Sequence, residues 1–242
     1  MAAGLAARAS PGQSGVMEPV HRHPWDLSPD QAAALQRDLA RRLVLHDDLP
    51  DPLNSVGGVD VAYQEDKGLA FAAVLIFDAG TLELKEQVSA QMPISFPYVP
   101  GLLSFREIPV IEGALAKLTT RPDLLLCDGH GIAHPRRFGL ASHLGYLFDL
   151  PTIGCAKSSL RLRARREPEP VRGSYTELVV RGNVVGVVLR TRDRVKPLYI
   201  SPGHRVSVET ARTLVLKMCR RHRLPEPTRL ADQTVNRLRR LA

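Results

Sequence analysis

The stretch "LLLCDGHGIAHPRRFGLASHLG", residues 124–145, joins a run of leucines to a loop of acidic and basic residues and then to a helical segment. The leucines are typical of a buried strand, and a second apolar run, "PTIGCAK" at 151–157, follows the helix. Strand, helix and strand in this order indicate parallel pairing. Because ligand sites form beyond the carboxyl ends of such strands, the stretch predicts an α/β sheet with a site near Asp128.

Three strand-like runs precede this stretch, at 55–63, 69–78 and 81–90, and the turns between them are short. Links of that length imply antiparallel hairpins. Helical periodicity is seen from Ser28 onward and at 102–118. A hairpin at 176–190, a strand ending near residue 204 and two terminal helices complete the pattern. The predicted fold is α/β, a mixed sheet of three antiparallel strands and then parallel strands, flanked by helices.

One domain is expected for residues 25–242, after a flexible leader at 1–24 rich in Ala, Gly, Ser and Pro. No apolar run is long enough for a membrane span, and the start lacks the layout of a secretory signal. The three cysteines are far apart and lie among apolar residues, as reduced core thiols do. We therefore expect a cytoplasmic protein, and a monomer.

Most of the positive charge lies at one end of the chain. Residues 204–242 contain ten Lys and Arg against three acids, a net +7 of the chain's formal +8. Such a segment is either a solvated helix face or a surface that binds a polyanion. The charge indicates nucleic acid as a partner class without establishing it.

Two aspartates occupy positions where an unpaired carboxylate is costly. Asp60 stands between Val59 and Val61 in the first strand, and Asp128 directly follows "LLLC". A strand-end aspartate alone is more often a cap or turn residue, but two on neighbouring strands raise each other's pKa unless a cation joins them. All-oxygen ligation by carboxylates favours Mg²⁺, with Mn²⁺ as a substitute.

Four further residues are candidates for the same site. Glu107 stands early in the helix of "PGLLSFREIP", with its direction undecided, and Asp232 is an acid on the basic terminal helix. Lys157 ends the strand "TIGCAK" and could stabilise charge on a phosphate. Tyr98, in the stiff turn "FPYVPG" at 96–101, could stack on a base, although buried turn aromatics are commoner.

The loop after Asp128 carries His134, Arg136 and Arg137, with Gly129 and Gly131 permitting close backbone approach. Arginines there suit phosphate oxygens, or they neutralise the acids of their own loop.

Three alternative interpretations compete with a metal ion held by carboxylates at this site. Cys127, His130 and His134 offer zinc ligands, but no second cluster completes four of them. A cysteine hydrolase using Cys127 would need an exposed thiol, which nothing in the sequence marks. A non-catalytic nucleic-acid-binding module of the same fold would need the basic surface and Tyr98 but not the acids.

Several segments together resemble one known family. They are "GGVDVAY", "PYVPGLLSFRE", "PDLLLCDGHGIAHPRRFGLASHLG", "PTIGCAKSSL", "SPGHRVS" and "RLPEPTRLAD", in this order between about residues 30 and 235. The sequence resembles the endonuclease V family of inosine-directed nucleases, which have a ribonuclease H-like fold. It departs from the family in its long leader and in the short tail after Asp232.

The resemblance also implies roles for individual residues. It places Asp60 and Asp128 on the catalytic Mg²⁺, with Glu107 completing the acidic set. Lys157 and Asp232 match further catalytic positions. The remaining matches imply contacts with nucleic acid, by Tyr98, Pro100, Gly101, His134, Arg136, Arg137 and His204; for His204 a role in supporting its loop is the alternative.

The implied reaction is DNA repair: Mg²⁺-dependent hydrolysis of the second phosphodiester bond 3′ to deoxyinosine, the product of adenine deamination, leaving 3′-hydroxyl and 5′-phosphate ends. Some relatives prefer inosine in RNA, and the motifs do not decide between the two substrates.

Overall fold

The chain folds into an eight-stranded mixed sheet with helices on both faces, in a computed structural model that describes residues 16–160, 162, 164 and 166–242. The strands are β1 (Ser55–Gln64), β2 (Leu69–Asp78), β3 (Leu84–Pro93), β4 (Leu124–Cys127), β5 (Thr152–Ala156), β6 (Tyr175–Val180), β7 (Asn183–Leu189) and β8 (Leu198–His204). The α-helices are α1 (Pro29–Leu39), α2 (Leu103–Leu115), α3 (Leu140–Phe148), α4 (Val208–Met218) and α5 (Glu226–Leu241).

The order of the strands across the sheet is β3-β2-β1-β4-β5-β8-β7-β6. The first three strands pair antiparallel, and β4 and β5 continue from β1 in parallel. This confirms the predicted mixed sheet. The last three strands return to antiparallel pairing, so the sheet extends beyond the parallel strands.

Alternation along β1 divides the side chains between the two faces of the sheet. Val59, Val61 and Tyr63 pack on the first face, with the core formed by α2 and α3. Val56 and Ala62 pack on the second face, with the core formed by α4 and α5. A side chain's place in this alternation therefore decides which helices it meets.

Local signals set where the helices begin. Ser28 caps α1 in a capping box with Gln31, and the Ser207 hydroxyl accepts a hydrogen bond from the Thr210 amide at 3.1 Å at the start of α4. The first turn of α5 lies directly on β1. A Cβ at Gly58 would be 2.2 Å from the carbonyl carbon and oxygen of Pro227, so only glycine permits this approach.

The packed chain begins before residue 25, where the flexible leader was expected to end. Met17 is 4% exposed, the amides of Val20 and His21 both donate to the Leu147 carbonyl, and His23 contacts α3. These contacts depend on the surface of α3, which the composition of the leader does not reveal. Residues 1–15 lie outside the described residues. In the described part of the chain, no helix has the length and apolarity to cross a membrane.

Candidate nuclease site

Three aspartates from distant parts of the chain meet at one end of the sheet. They are Asp60 on β1, Asp128 directly after β4 and Asp232 on α5, and one carboxylate oxygen of each lies within 4.8 Å of the others. Val59 pairs with Cys127 in the parallel register, so the next residues along, Asp60 and Asp128, stand side by side. We call these three residues the aspartate cluster.

Strand alternation explains why Asp232 joins the other two. Asp60 and Asp128 fall on the second face of the sheet, where Leu124 and Leu126 of β4 also pack. Helix α5 covers this face through Ala231 and Val235. The contact of its first turn with Gly58 then brings the residue one turn later, Asp232, to the level of Asp60.

Lys157 supplies the positive charge at the cluster. Its Nζ lies 2.5 Å from an Asp128 carboxylate oxygen and 3.2 Å from one of Asp232. Arg223 fixes the backbone here, because its guanidinium donates to the Lys157 carbonyl at 2.8 Å and to the Pro197 carbonyl at 2.7 Å. The position of Lys157 is therefore fixed both by the hydrogen bond to its carbonyl and by the ion pairs of its ammonium group.

The electrostatics of the cluster favour a bound cation. Burial and then the neighbouring Asp128 raise the pKa of Asp60 to about 8. Burial also raises the pKa of Asp128, against the opposing effect of Lys157. Burial lowers the pKa of Lys157, but its contacts with Asp128 outweigh that and raise it to about 12. One ammonium does not balance three carboxylates, and their oxygens are the ligands that hard divalent cations take.

Glu107 approaches the cluster from the opposite face. It lies on α2, is 7% exposed and accepts a hydrogen bond from the Tyr63 hydroxyl at 3.3 Å. Burial, followed by the charge of Asp60, raises its pKa well above the ordinary value. The expected metal ligands were Asp60, Asp128 and Glu107, but the described group within mutual reach contains Asp232 in place of Glu107.

The turn of Tyr98 is exposed at its tip and fixed at its base. Tyr98 is 71% exposed, whereas Phe96 is 5% exposed and packs with Phe105 of α2. Gly101 has a φ of 85°, and its carbonyl accepts hydrogen bonds from Gln36 at 3.1 Å and Arg136 at 2.6 Å. The buried alternative for Tyr98 is wrong, and the turn presents the ring to solvent.

His134 and Arg136, two residues expected to bind nucleic acid, hold this turn in place. His134 is 4% exposed, and its Nε2 lies 3.0 Å from the Gly101 carbonyl oxygen. Burial, and then the charge of Arg136, lower the pKa of His134 to about 3, so its ring is neutral. Arg136 also donates to Gln36. Arg137, the next residue, is half-buried with a φ of 59°.

His204 lies at the other end of the sheet. It pairs with Thr152 at the start of β5, whereas Lys157 follows the end of that strand. Its Nδ1 accepts a hydrogen bond from the Val44 amide, and its Nε2 lies 3.3 Å from Asp149. Because β8 runs antiparallel to β5, His204 lies at the end of β5 away from the cluster, where it holds the loop at Val44; its contact with nucleic acid stays a prediction.

The cysteine and zinc alternatives do not fit the geometry. Cys127 is fully buried on the first face, and burial followed by the charge of Glu107 raises the pKa of its thiol. All three cysteines are free and buried, as expected. Among the described residues, the one group able to hold a metal is the aspartate cluster.

Two residues of the site were not predicted from the sequence: Arg223, which holds the backbone of Lys157, and Gln36, which holds the Tyr98 turn. Both act through backbone carbonyls, so no motif marks them.

Comparison with known proteins agrees with this geometry. The family model described as Endonuclease V matches residues 37–233. The chain is 51% identical to an endonuclease V of Azotobacter vinelandii, over 88% of this chain and 96% of that protein. It is also similar to the crystal structure of an endonuclease V from Bacillus subtilis, with a TM-score of 0.88 and 36% identity over 93% of this chain and 98% of the other.

A more distant structure shows a relative with nucleic acid. It is endonuclease V of Ciona intestinalis in complex with DNA containing an inosine followed by a ribo-adenosine, and it has a TM-score of 0.74 and 26% identity over 86% of this chain and 97% of that one. The family match covers most of the chain, including all three aspartates and Lys157. The chain therefore belongs to the endonuclease V family of nucleases.

Proposed function

We propose that this protein is a Mg²⁺-dependent DNA repair endonuclease that recognises deoxyinosine and hydrolyses the second phosphodiester bond on its 3′ side. The observation that carries the proposal is the convergence of Asp60, Asp128 and Asp232 with Lys157. A module that only binds nucleic acid gains nothing from burying three carboxylates together. The complex of the Ciona relative with inosine-containing DNA supports the class of substrate.

The aspartate cluster fits a divalent cation because its carboxylates are partly buried, close together and short of positive charge. Asp60, Asp128 and Asp232 would hold the ion. The chemistry that it supplies when bound is polarisation of the phosphate and acidification of water. Mn²⁺ has similar ligand preferences and is expected to substitute for Mg²⁺.

The other residues of the site act on charge and on the position of water. Lys157 holds a positive charge where the pentavalent phosphate develops negative charge, and Arg223 keeps its backbone in place. Glu107, on the far side of Asp60, orients the attacking water with a carboxyl group that Tyr63 fixes.

Recognition of the lesion is separate from the chemistry. Tyr98, Pro100 and Gly101 form a stiff turn that is exposed at its tip. The Tyr98 ring stacks on the neighbouring bases when the hypoxanthine base is flipped out of the base stack. Arg137 contacts phosphate without selecting sequence. His134 and Arg136 contribute by holding Gly101.

The decisive experiment is a nicking assay on matched oligonucleotides. Single-stranded DNA, duplex DNA and RNA, each with inosine or adenine at one position, are incubated with Mg²⁺, Ca²⁺ or chelator. We expect nicking of inosine-containing DNA with Mg²⁺, 5′-phosphate ends at the second bond, and no product with chelator. Faster nicking of RNA would make the protein an inosine-specific endoribonuclease. Binding without nicking under every condition would contradict the proposal.

Replacing Tyr98 with alanine is expected to lower kcat/KM for inosine-containing DNA by about 10-fold to 100-fold, because stacking on a base is worth about 1–3 kcal/mol. Tyr98→Phe keeps the ring and should remain within about threefold of the unmodified protein. The ring is mostly exposed, so neither change should alter the melting temperature. An unaltered kcat/KM for Tyr98→Ala would remove this residue from recognition.

Mg²⁺ is expected to raise the melting temperature more at about pH 8.5 than at about pH 6. The pKa of Asp60 is about 8 in the folded protein against an ordinary 3.8, so the folded state keeps a proton that the unfolded state has lost. The contribution of Asp60 to the free energy of unfolding is therefore lost as the pH rises from about 4 towards 8. At the lower pH, protons compete with Mg²⁺ for its carboxylate. Thermal unfolding of the Asp60→Asn variant is the control. In this variant, the rise in melting temperature caused by Mg²⁺ should no longer differ between the two pH values.

A further inference from the structure

A pair of histidines joins the N-terminal segment, residues 16–27, to the helices beside the Tyr98 turn. His143 of α3 is fully buried, and its Nε2 lies 2.6 Å from Nε2 of the half-buried His23. His143 Nδ1 lies 3.0 Å from the Ser104 hydroxyl oxygen in the first turn of α2. The pair therefore links three elements, and the reaction proposed above uses neither ring.

The partners of the two rings fix where each proton lies. The Pro24 carbonyl oxygen, 2.7 Å from His23 Nδ1, can only accept, so His23 carries its proton on Nδ1 and its Nε2 accepts when the ring is neutral. His143 Nε2 is then the donor between the rings, and its Nδ1 accepts from the Ser104 hydroxyl. A second proton between the two Nε2 atoms would set two N–H groups against each other.

The surroundings of both rings oppose a positive charge. Trp25 and Phe105 contact both rings, and Phe138 contacts His143. Burial is the main cause that lowers the pKa of His23, and burial followed by the charge of His23 lowers the pKa of His143 well below its ordinary value. A proton on His143 Nδ1 could be accepted by a rotated hydroxyl, but the charge would stay buried without a counter-ion.

The other titratable groups of this region are engaged with one another. Arg22 pairs with Glu18 at 2.6 Å and lies 3.8 Å from Glu112 of α2, and His21 stacks on Tyr146 of α3 with ring centroids 4.5 Å apart. Within the part of the chain that the structure describes, neither ring of the histidine pair forms an ion pair with a carboxylate. No anion therefore compensates an added proton.

The N-terminal segment also supports the base of the Tyr98 turn. Trp25 and Leu27 pack in the apolar cluster that Phe96 of the turn forms with Phe105 of α2. Because Tyr98 is itself mostly exposed, the direction of its ring depends on how firmly the base of the turn is held. Release of the segment would remove one wall of this cluster.

We infer that His23 and His143 are positioning residues that clasp the N-terminal segment beneath the Tyr98 turn, and that this clasp holds only while both rings are neutral. The inference rests on the proposed function for the role of the turn, whereas the clasp itself exists without substrate. A released segment takes up a proton that the clasped segment excludes. The clasp therefore opens as the pH falls below about 6.5, the ordinary pKa of histidine.

The clasp is tested first on the intact protein without substrate. Trp25, the one tryptophan of the chain, contacts both rings, so its fluorescence reports release of the segment to water. We expect its emission to shift to longer wavelength between about pH 6.5 and about pH 5. His23→Gln keeps an acceptor for His143 and cannot titrate, so its emission should stay constant over this range. His46→Gln, which removes an exposed histidine, should shift as the unmodified protein does.

The link to the turn is tested by a double-mutant cycle on inosine-containing DNA. His23→Ala opens the clasp and should lower kcat/KM about tenfold, because a misplaced recognition group loses rate. In the variant His23→Ala/Tyr98→Ala the loss should be no larger than in Tyr98→Ala alone, since the clasp acts through that ring. A purely structural defect would add to the loss caused by Tyr98→Ala.

The pH profile provides a further test, which also serves if His23→Ala does not fold. The ratio of kcat/KM for His23→Gln to that of the unmodified protein should rise about tenfold from about pH 8 to about pH 5.5. Competition between protons and Mg²⁺ is common to both proteins and cancels in this ratio. The same ratio for His46→Gln should not depend on pH.

Three results would each overturn the inference: Trp25 emission that does not shift in acid or shifts equally in His23→Gln, full additivity in the cycle, or a ratio for His23→Gln that does not depend on pH. Failure of the unmodified protein to nick would instead count against the proposed function, and Trp25 emission would still decide whether the clasp exists.

Discussion

Replacing Asp128 with asparagine is expected to reduce nicking of inosine-containing DNA at saturating Mg²⁺ by about 10³-fold or more. Losses of this size are typical when a central residue of a catalytic unit is removed. Asp128 stands next to Asp60 in the parallel register and binds Lys157 at 2.5 Å. The amide keeps the shape of the side chain but provides no anionic oxygen. The cation loses a ligand, and Lys157 loses the partner that places it.

The same variant should fold, which separates a catalytic loss from a structural one. Asp128 is one cause of the raised pKa of Asp60, so its neutralisation removes a repulsion in the metal-free protein. We expect the melting temperature without metal at about pH 8 to stay level or rise. Asp66→Asn is the control, since Asp66 is exposed in the turn after β1 and lies outside the cluster. Preserved nicking by Asp128→Asn would exclude this residue from the mechanism.

The parallel pairing of β4 with β5, which brings Asp128 and Lys157 to one edge of the sheet, was predictable from the sequence because it depends on local patterns. Apolar runs mark both strands, and the helix between the strands of residues 124–157 implies parallel neighbours. The opposite orientations of Cys127 and Asp128 follow from alternation along a strand.

The third member of the cluster was not predictable in this way. Choosing between Glu107 and Asp232 requires knowing which face of the sheet each helix covers, and α2 and α5 are far apart in the chain. Their own sequences contain no signal of that face. The packing of both helices against the completed sheet decides it.

Side-chain partners were the least predictable feature of the site. His134 and Arg136 have the residue types of a phosphate-binding loop, yet both are directed at the Gly101 carbonyl. A cation binds whichever acceptor the fold brings within reach, and a backbone carbonyl leaves no trace in the sequence. His204 illustrates the same point, because the direction of β8 in the sheet decides at which end it lies.

Gly58→Ala is expected to lower both the stability and the nicking rate, although Gly58 does not contact substrate. The added Cβ would lie 2.2 Å from the backbone of Pro227, so the first turn of α5 must move away from β1. Overpacking of this kind costs about 1–3 kcal/mol of stability. Because Asp232 is on the same helix, a shift of about 1 Å also removes it from the cluster, and such a misplacement can cost about 10²-fold in rate.

A matched control separates this effect from a general intolerance of glycine replacement. At Gly113, inside α2, a new Cβ would be 3.5 Å from Ala90 Cβ and Met92 Sδ, an ordinary contact. Gly113→Ala should therefore raise stability by about 0.5–1 kcal/mol, as alanine does in a helix, and leave nicking unaltered. Denaturant unfolding and nicking rates measured on both variants test the claim. If Gly58→Ala nicks at the normal rate, the seating of α5 on β1 does not position Asp232 for catalysis.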